Sequence, residues 1–242
     1  MTIHITGDIH GDITRLINHK KTKAGDIVII AGDFGLFWSK KITDIKLKAL
    51  EELAAERGID YLFIDGNHEN FTMLEALPLE ERYGGQVGKA RDHIYWLRRG
   101  EVYIIEGKTF FCFGGALSID RYYREPFESW WPQEEPSSVD MANAINNLNK
   151  IDYKPDYIIT HAAPTLFLKS IRGFSFIDFH DPAQEFLDKI VTMLTAENPN
   201  FKKWYFGHYH IDRFSNKHGF YALYEKFKLI KQKIKAAIFS SE

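Results

Sequence analysis

The chain has 242 residues, of which 45% are hydrophobic and 15% aromatic, a composition that excludes a disordered segment or a coiled coil. Its net charge of -2 argues against a nonspecific nucleic-acid-binding protein, although a local basic patch is compatible with that total. Cys112 is the only cysteine, and the sequence carries neither an apolar run approaching the roughly 20 residues of a membrane span nor the pattern of a signal peptide. We therefore predict a cytoplasmic protein with no internal disulfide and no membrane partner.

Five short apolar runs, rich in β-branched and aromatic residues, predict buried β-strands. Each run leads directly into Gly, Asp, Asn or His. The runs cover residues 3–6, 27–31, 61–64, 157–160 and 204–206. Residues with polar side chains that can bind ions therefore follow the ends of the predicted strands.

Helices are predicted between the strands. The stretch 47–54 has apolar residues at helical spacing and stops before Gly58, a good helix terminator. Asp181 precedes a proline and an apolar stripe, and Ser137 or Ser138 would cap a further helix. Strands that alternate with helices indicate a largely parallel sheet covered on both faces.

Two hairpins and a terminal helix complete the predicted elements. Residues 102–105 and 109–113 flank one turn, and residues 211–214 and 220–224 flank another. From Glu225 onward, apolar residues near helical spacing alternate with lysines and predict an amphipathic helix. We expect that helix to pack on the body with a solvated lysine face; the alternative is a helix that binds a partner or a membrane surface.

Candidate functional residues follow the five predicted strands. Asp8 and His10 lie two residues apart at a strand end, so their side chains point to the same side and can hold one ion. The other candidates at these strand ends are Asp33, Asn67, His68, His161, His208 and His210. Ligands bind at the carboxyl ends of strands in open α/β sheets, and we therefore predict one functional site there.

The order and spacing of these motifs resemble the calcineurin-like metallophosphoesterase superfamily, in a bacterial or phage-type member. The motifs are Gly7-Asp8-Ile9-His10, Gly32-Asp33-Phe34-Gly35, Gly66-Asn67-His68-Glu69, the isolated His161, and Gly207-His208-Tyr209-His210. The resemblance implies a four-layer α/β fold, in which a β-sandwich is flanked by helices and a dimetal site lies at the carboxyl ends of the strands.

The resemblance also implies a role for each motif residue. One metal ion would be held by Asp8, His10, Asp33 and His210. The other would be held by Asp33, Asn67, His161 and His208, with Asp33 bridging the two ions. His68 matches the histidine that assists the leaving group, by protonating it or by stabilising its charge.

The residue types account for these roles in chemical terms. Imidazole and oxygen ligands without thiolate favour two divalent ions such as Mn, Fe or Zn. Two dications bring four positive charges, while Asp8 and Asp33 are the only anionic ligands, so the site attracts phosphate. A metal-bridging hydroxide would attack the phosphorus in line. Glu69 or Asp65 would orient the imidazole of His68, or would instead cap the turn.

The sequence departs from the protein Ser/Thr phosphatases of this superfamily because both of their phosphate-holding arginines are missing from the motifs. An aromatic loop insertion around residues 114–136 offers Arg121 and Arg124 as substitutes that bind substrate. The rings of Tyr122, Tyr123, Trp130 and Trp131 would line the pocket or pack on the sheet.

These observations predict a single domain over residues 1–242 that hydrolyses phosphate esters, with monoesterase and diesterase activity both open. The alternatives are a metal-dependent nuclease, for which nucleic acid is a substrate only, a protein phosphatase, and a non-enzymatic scaffold on the same fold. The remaining five histidines receive no function. His4 and His93 are interpreted as structural, and His19, His180 and His218 as surface or turn residues.

Overall fold

The computed structural model describes residues 1–171, 181–198, 201, 203–217 and 219–231. Within these residues the strands are β1 (Thr2–Thr6), β2 (Ile27–Ile30), β3 (Asp60–Phe63), β4 (Leu79–Arg82), β5 (Gly85–Arg91), β6 (Ile94–Leu97), β7 (Val102–Ile105), β8 (Lys108–Phe113), β9 (Tyr157–Thr160), β10 (Trp204–Phe206), β11 (Arg213–Ser215), β12 (Phe220–Ala222) and β13 (Lys228–Lys231). The helices are α1 (Thr14–Asn18), α2 (Lys40–Arg57), α3 (Phe71–Glu75), α4 (Ser138–Asn149), α5 (Thr165–Ser170) and α6 (Pro182–Glu197). His180 and His218 lie outside the described residues.

The strands form two mixed sheets. The first has the order β13-β1-β2-β3-β6-β5-β4, and its centre from β1 to β6 is parallel. The second has the order β11-β12-β10-β9-β8-β7, with a parallel centre from β12 to β8. The pairing is largely parallel in the centre of each sheet, as predicted, but the predicted strands are divided between two sheets and do not form a single one.

The two sheets pack face to face and helices cover both outer faces, which confirms the four-layer sandwich. Ile27 and Ile29 of β2 point into the core between the sheets, together with Phe110 of the second sheet. Their neighbours Val28 and Ile30 point to the opposite face, where they pack against α2. A third buried cluster lies between the second sheet and α4 to α6. Alternate residues of the central strands are therefore buried on both faces, which explains their continuous apolar runs.

The three helices predicted between the strands are confirmed, and their caps account for their ends. Helix α2 ends at Gly58, which adopts a left-handed φ of 62°. The side chain of Asp181 caps α6 by accepting from Ala183 N, and Ser137 rather than Ser138 caps α4. Among the helices of the described residues, none is long and apolar enough to cross a membrane.

Both hairpins are confirmed, since β7 pairs with β8 and β11 with β12 in antiparallel fashion. The terminal helix is wrong for the part of the tail that the structure describes. Lys228–Lys231 forms β13, which pairs antiparallel with β1. The open edge of β1 supplies backbone hydrogen-bond partners that an isolated amphipathic helix lacks, and lysines are common on such edge strands. The rest of the tail, residues 232–242, lies outside the described residues.

Candidate metal centre

The two sheets bring the carboxyl ends of five strands to one place. The first sheet contributes β1, β2 and β3, and the second contributes β9 and β10. The motif residues directly follow these strands, so side chains distant in the sequence become neighbours. Asp8 and His208, 200 positions apart, are joined by a hydrogen bond of 2.9 Å from the backbone N–H of His208 to Asp8 Oδ1.

Asp8, His10, Asp33 and His210 form a cluster whose candidate ligand atoms all lie within 4.8 Å of one another. The Nε2 atoms of His10 and His210 are 2.8 Å apart, and His210 Nε2 is 3.1 Å from Asp8 Oδ2. The carboxylates are buried, whereas the two imidazoles are partly open to solvent. The first of the two predicted ligand sets is therefore assembled in one cluster.

The second predicted set gathers around His161. His161 Nε2 lies 3.1 Å from Asn67 Oδ1 and 3.3 Å from Asp33 Oδ1. The ring of His208 completes the group, with its centroid 5.0 Å from that of His161. His161 Nδ1 is 3.0 Å from the carbonyl oxygen of Ala31, so Nδ1–H donates there and Nε2 is the ring atom that faces the cluster. A metal ligand requires this ring orientation, and an ion bound at Nε2 would take the place of its proton.

Asp33 lies between the two groups. Its Oδ1 faces His161 and also accepts a hydrogen bond of 2.9 Å from the backbone N–H of His68. Its Oδ2 is 3.8 Å from His10 Nδ1 in the first group. Because one oxygen faces each group, the carboxylate has the position expected of a bridging ligand.

Glycines in the motifs permit this close approach. A Cβ at Gly66 would collide with Asp33 Oδ1, and one at Gly32 would collide with the ring of His161. A Cβ at Gly207 would collide with Asp8 Oδ1. Any larger residue at these three positions would displace a predicted ligand. Gly32, Gly66 and Gly207 therefore leave the space that the ligand side chains occupy.

Four of the predicted ligands have left-handed backbone conformations that are unfavourable for residues with a Cβ. Their φ angles are 46° at His10, 44° at Asp33, 66° at His208 and 48° at His210. Conformations of this kind cost on the order of 1–3 kcal/mol each and cluster at functional sites. The fold therefore holds these side chains in position at the expense of local backbone strain.

His68 and Arg124 lie beside the cluster. The ring centroid of His68 is 5.4 Å from that of His10, and its Nδ1 is 3.4 Å from Arg124 Nη1. Since a guanidinium group can only donate, Nδ1 of His68 accepts and its own proton is on Nε2. Arg124 is itself held by Asp120, whose Oδ2 accepts from both Nε and Nη2 at 3.0 and 2.7 Å.

The sequence model of the calcineurin-like phosphoesterase family matches residues 1–212, which is most of the chain. The chain belongs to this family. As a calcineurin-like phosphoesterase it is a metal-dependent hydrolase of phosphate esters, which confirms the general activity and the divalent-metal requirement expected from the motifs. A comparison with curated proteins gives no significant match.

The donor set fits divalent metal ions. Oxygen and imidazole donors converge in two adjoining groups, and the hydrogen bond from His161 Nδ1 to Ala31 leaves Nε2 as the ligand atom of that ring. Burial alone would lower the pKa of His161, but the adjacent Asp33 carboxylate raises that pKa to about 10. Burial and the nearby His161 lower the pKa of His208 to about 4. The carboxylates therefore attract positive charge into the centre of the phosphoesterase site.

Neither carboxylate proposed to orient His68 contacts its ring. Glu69 is fully buried, and its two carboxylate oxygens accept from the backbone N–H of Gly35 at 3.2 and 3.3 Å. Asp65 accepts from Trp96 and pairs with Arg99. Glu69 therefore stabilises the turn at Gly35, as in the predicted alternative, whereas the carboxylate of Asp65 is held by the side chains of Trp96 and Arg99.

The aromatic loop of the phosphoesterase divides into buried and exposed parts. Arg121, a predicted phosphate ligand, pairs with Glu135, so of the two arginines Arg124 is the one beside the cluster. Trp131 is fully buried, and its Nε1 donates to Thr72 Oγ1 at 3.0 Å. The rings of Tyr122 and Tyr123, in contrast, are 81% and 93% accessible. The predicted packing of the loop therefore holds for Trp131, and an open pocket wall is compatible with the two tyrosines.

Two arginines that support the site carry no recognisable signal in the sequence. Arg15 of α1 donates from Nη2 to the carbonyl oxygens of Gly7 at 2.9 Å and Asp8 at 2.5 Å. Arg99 joins Asp65 to the aromatic loop by donating to Gln133 O at 2.7 Å. The contacts of Arg99 join segments 34 positions apart, and those of Arg15 reach back seven and eight positions around a turn; neither relation follows from strand or helix periodicity.

The other described histidines have structural contacts. His4 is buried, with Nε2 3.1 Å from Asp26 Oδ2, and His93 Nδ1 is 2.8 Å from Asp60 Oδ1. His19, predicted as a surface or turn residue, is half-buried, with its Nε2 2.9 Å from His4 Nδ1 and its ring stacked on Phe227. The structural interpretation holds for His4 and His93, and His19 directly follows α1, at a position compatible with the predicted surface or turn residue.

Proposed function

We propose that this protein hydrolyses phosphate mono- or diesters at a dinuclear centre of Mn, Fe or Zn ions. The observation that carries the proposal is that Asp33 presents one carboxylate oxygen to each of two ligand groups, with His68 beside them. Such a bridged pair is the arrangement used for in-line displacement at phosphorus. Mono- and diesters need the same centre, so both belong to the proposal.

Seven side chains would hold the two ions. The first group is Asp8, His10, Asp33 and His210, and the second is Asp33, Asn67, His161 and His208. When bound, the ions would activate water for attack and neutralise charge on the phosphoryl oxygens. The protein's own contribution is to hold the ligands in one geometry. Three glycines leave room for the ligand side chains, and the strained backbone of four ligands fixes their direction.

His68 would act on the leaving group. Its Nε2 carries the proton when Nδ1 accepts from Arg124, so Nε2–H is available to donate to the leaving oxygen. A hydrogen bond at that atom stabilises the negative charge that develops as the ester bond breaks. This arrangement favours charge stabilisation over full proton transfer, which were the two roles considered for this histidine.

Arg124 would bind the phosphoryl group. Its guanidinium lies between Asp120 and His68, and its side chain is only 16% exposed. A cation placed there can pair with a phosphoryl oxygen while His68 faces the leaving oxygen. Arg124 would therefore replace one of the motif arginines that this chain lacks, whereas Arg121 is engaged with Glu135.

Hydrolysis of nitrophenyl phosphate and bis(nitrophenyl) phosphate, each with Mn²⁺ and with EDTA, tests the proposal. We expect metal-dependent release of nitrophenol from at least one ester, and the ratio of the two rates assigns the preference. Short single-stranded and double-stranded nucleic acids and a phosphopeptide extend the test to nuclease and protein phosphatase activity. Failure to hydrolyse any of these substrates, despite two bound ions, would favour the scaffold.

A further inference from the structure

The amide of Asn67 has a different partner at each end. Its Oδ1 faces the second ligand group, 3.1 Å from His161 Nε2. Its Nδ2 donates to Ser118 Oγ at 3.0 Å. Asn67 is 4% exposed and Ser118 is 2% exposed, so no bulk water substitutes for either partner.

The orientation of this amide decides whether Asn67 can be a ligand. Only Oδ1 carries lone pairs for a metal ion, and a rotation of 180° would place the N–H groups of Nδ2 there instead. The two orientations have nearly the same shape. Steric packing alone therefore distinguishes them poorly, and the hydrogen-bond partner behind the amide must select one.

Ser118 can select the orientation only if its own proton points away from Nδ2. The hydroxyl has one proton, and Oε2 of Glu134 is its closest acceptor; the backbone oxygen of Asn67 is a second, at 3.4 Å. With the proton directed to Glu134, the lone pairs of Ser118 Oγ face Nδ2. Ser118 then accepts from the amide nitrogen and leaves Oδ1 on the metal side.

Glu134 is suited to fix that direction. It is fully buried at the end of the aromatic loop, and its Oε1 accepts from the backbone N–H of Trp131 at 3.2 Å. The other oxygen, Oε2, is therefore the one available to the hydroxyl of Ser118. As an ionised carboxylate, Glu134 is an acceptor at both oxygens and does not donate to Ser118.

We infer that Ser118 and Glu134 are positioning residues, which hold the Asn67 amide with Oδ1 toward the second metal ion. The inference rests on the proposed dinuclear function. It gives the aromatic loop a role that neither its rings nor its arginines indicate. The loop would complete a ligand of the metal centre, in addition to carrying Arg124 to the phosphate.

Glu134→Gln is the sharpest test because it preserves shape and changes only donors and acceptors. The N–H of Trp131 requires an acceptor, so the introduced glutamine would present its oxygen there and its amide N–H groups to Ser118. The proton of Ser118 would then compete for Asn67 Oδ1 and favour the rotated amide. Ser118→Ala is the second variant, since it removes the acceptor with a loss of one oxygen atom.

The experiment titrates each purified full-length variant with Mn²⁺ at pH 8, after chelation. Because burial raises the pKa of Glu134 to about 7, pH 8 keeps most of that carboxylate ionised. Bound ions are counted by elemental analysis, and electron paramagnetic resonance distinguishes a coupled pair from a single Mn²⁺. For both variants we expect an unchanged first ion and a second ion bound roughly 10- to 100-fold more weakly, the usual effect of losing a residue behind a ligand.

Glu135→Gln is the matched control, because it makes the same chemical change one residue away, in a side chain paired with Arg121. We expect it to bind two ions like the wild type. Wild-type affinity for the second ion in both Glu134→Gln and Ser118→Ala would overturn the inference. Equal weakening of both ions would also overturn it and assign the residues to loop packing. A wild-type protein that binds fewer than two ions would instead refute the dinuclear function, and the inference with it.

Discussion

His10 Nε2 and His210 Nε2 lie 2.8 Å apart, although 200 positions separate the two residues and each follows a strand of a different sheet. At most one proton fits between two imidazole nitrogens at this distance. A divalent ion held by both imidazoles would satisfy both lone pairs and would link the two sheets of the sandwich.

We therefore expect metal ions to stabilise the fold. An ion present at 100 times its dissociation constant adds about 2.7 kcal/mol. For a chain of this size, 1 kcal/mol raises the melting temperature by about 2–4 °C, so Mn²⁺ should raise it by roughly 5–10 °C over EDTA. Differential scanning fluorimetry measures this rise in melting temperature. His210→Ala should reduce the rise, and an equal rise in that variant would contradict binding at this cluster.

Asp33→Asn should weaken both metal sites together. The carboxylate presents Oδ1 to the group around His161 and Oδ2 to His10, and the amide replaces one oxygen with a donor that cannot coordinate. We expect affinity for each ion to fall at least 10-fold, as measured by calorimetric titration after chelation. Loss of a single ion with normal binding of the other would show that Asp33 does not bridge.

His68→Gln should lower turnover while two ions remain bound. The imidazole is placed to donate a hydrogen bond to the leaving oxygen, and loss of one such donor costs roughly 10²- to 10³-fold in rate. The fall should appear mainly in kcat, in steady-state assays accompanied by metal analysis. His93→Gln is the matched control, since His93 pairs with Asp60 and should leave kcat unchanged. If His68→Gln instead loses metal, His68 acts as a ligand.

Arg124→Ala and Arg121→Ala should differ strongly. Arg124 lies 3.4 Å from His68, whereas Arg121 pairs with Glu135. A charged hydrogen bond contributes about 1.5–3 kcal/mol, so Arg124→Ala should lower kcat/KM by roughly 10- to 100-fold, and Arg121→Ala by less than about threefold. Inhibition by inorganic phosphate should weaken in parallel. Similar losses in both variants would place the phosphate elsewhere along the loop.

Stability at acidic pH should depend on Asp60. Burial would raise the pKa of this carboxyl, but hydrogen bonds from His93, Tyr83 and Arg82 together lower it below 3.8. The stabilisation is then complete above the unfolded-state value and is lost as pH falls through the lower folded-state value. Asp60→Asn should have a lower melting temperature than the wild type at pH 7, and this difference in melting temperature should become smaller toward pH 3. A difference in melting temperature that does not depend on pH would contradict an ionised Asp60.

Much of the site could be predicted from the sequence because its signals are local. A buried strand requires a continuous apolar run, and the polar residue that follows it marks the strand end, as Ile27–Ile30 and Asp33 do. Caps such as Asp181 are local too, since the side chain bonds to the next turn of its own helix. The tail at Lys228–Lys231 was mispredicted because its structure depends on the distant edge of β1.

The sequence by itself determined the five strands that carry the site, the ordered polar motifs after them and, through those motifs, the family. Only the tertiary structure decided that these strands divide between two sheets, that Arg124 rather than Arg121 reaches His68, and that Ser118 and Glu134 stand behind Asn67. The physical reason is the separation along the chain over which each kind of interaction acts. Strand and cap signals act over a few residues, whereas Ser118 is 51 positions from Asn67, and the direction of a buried proton depends on every partner that folding brings to it.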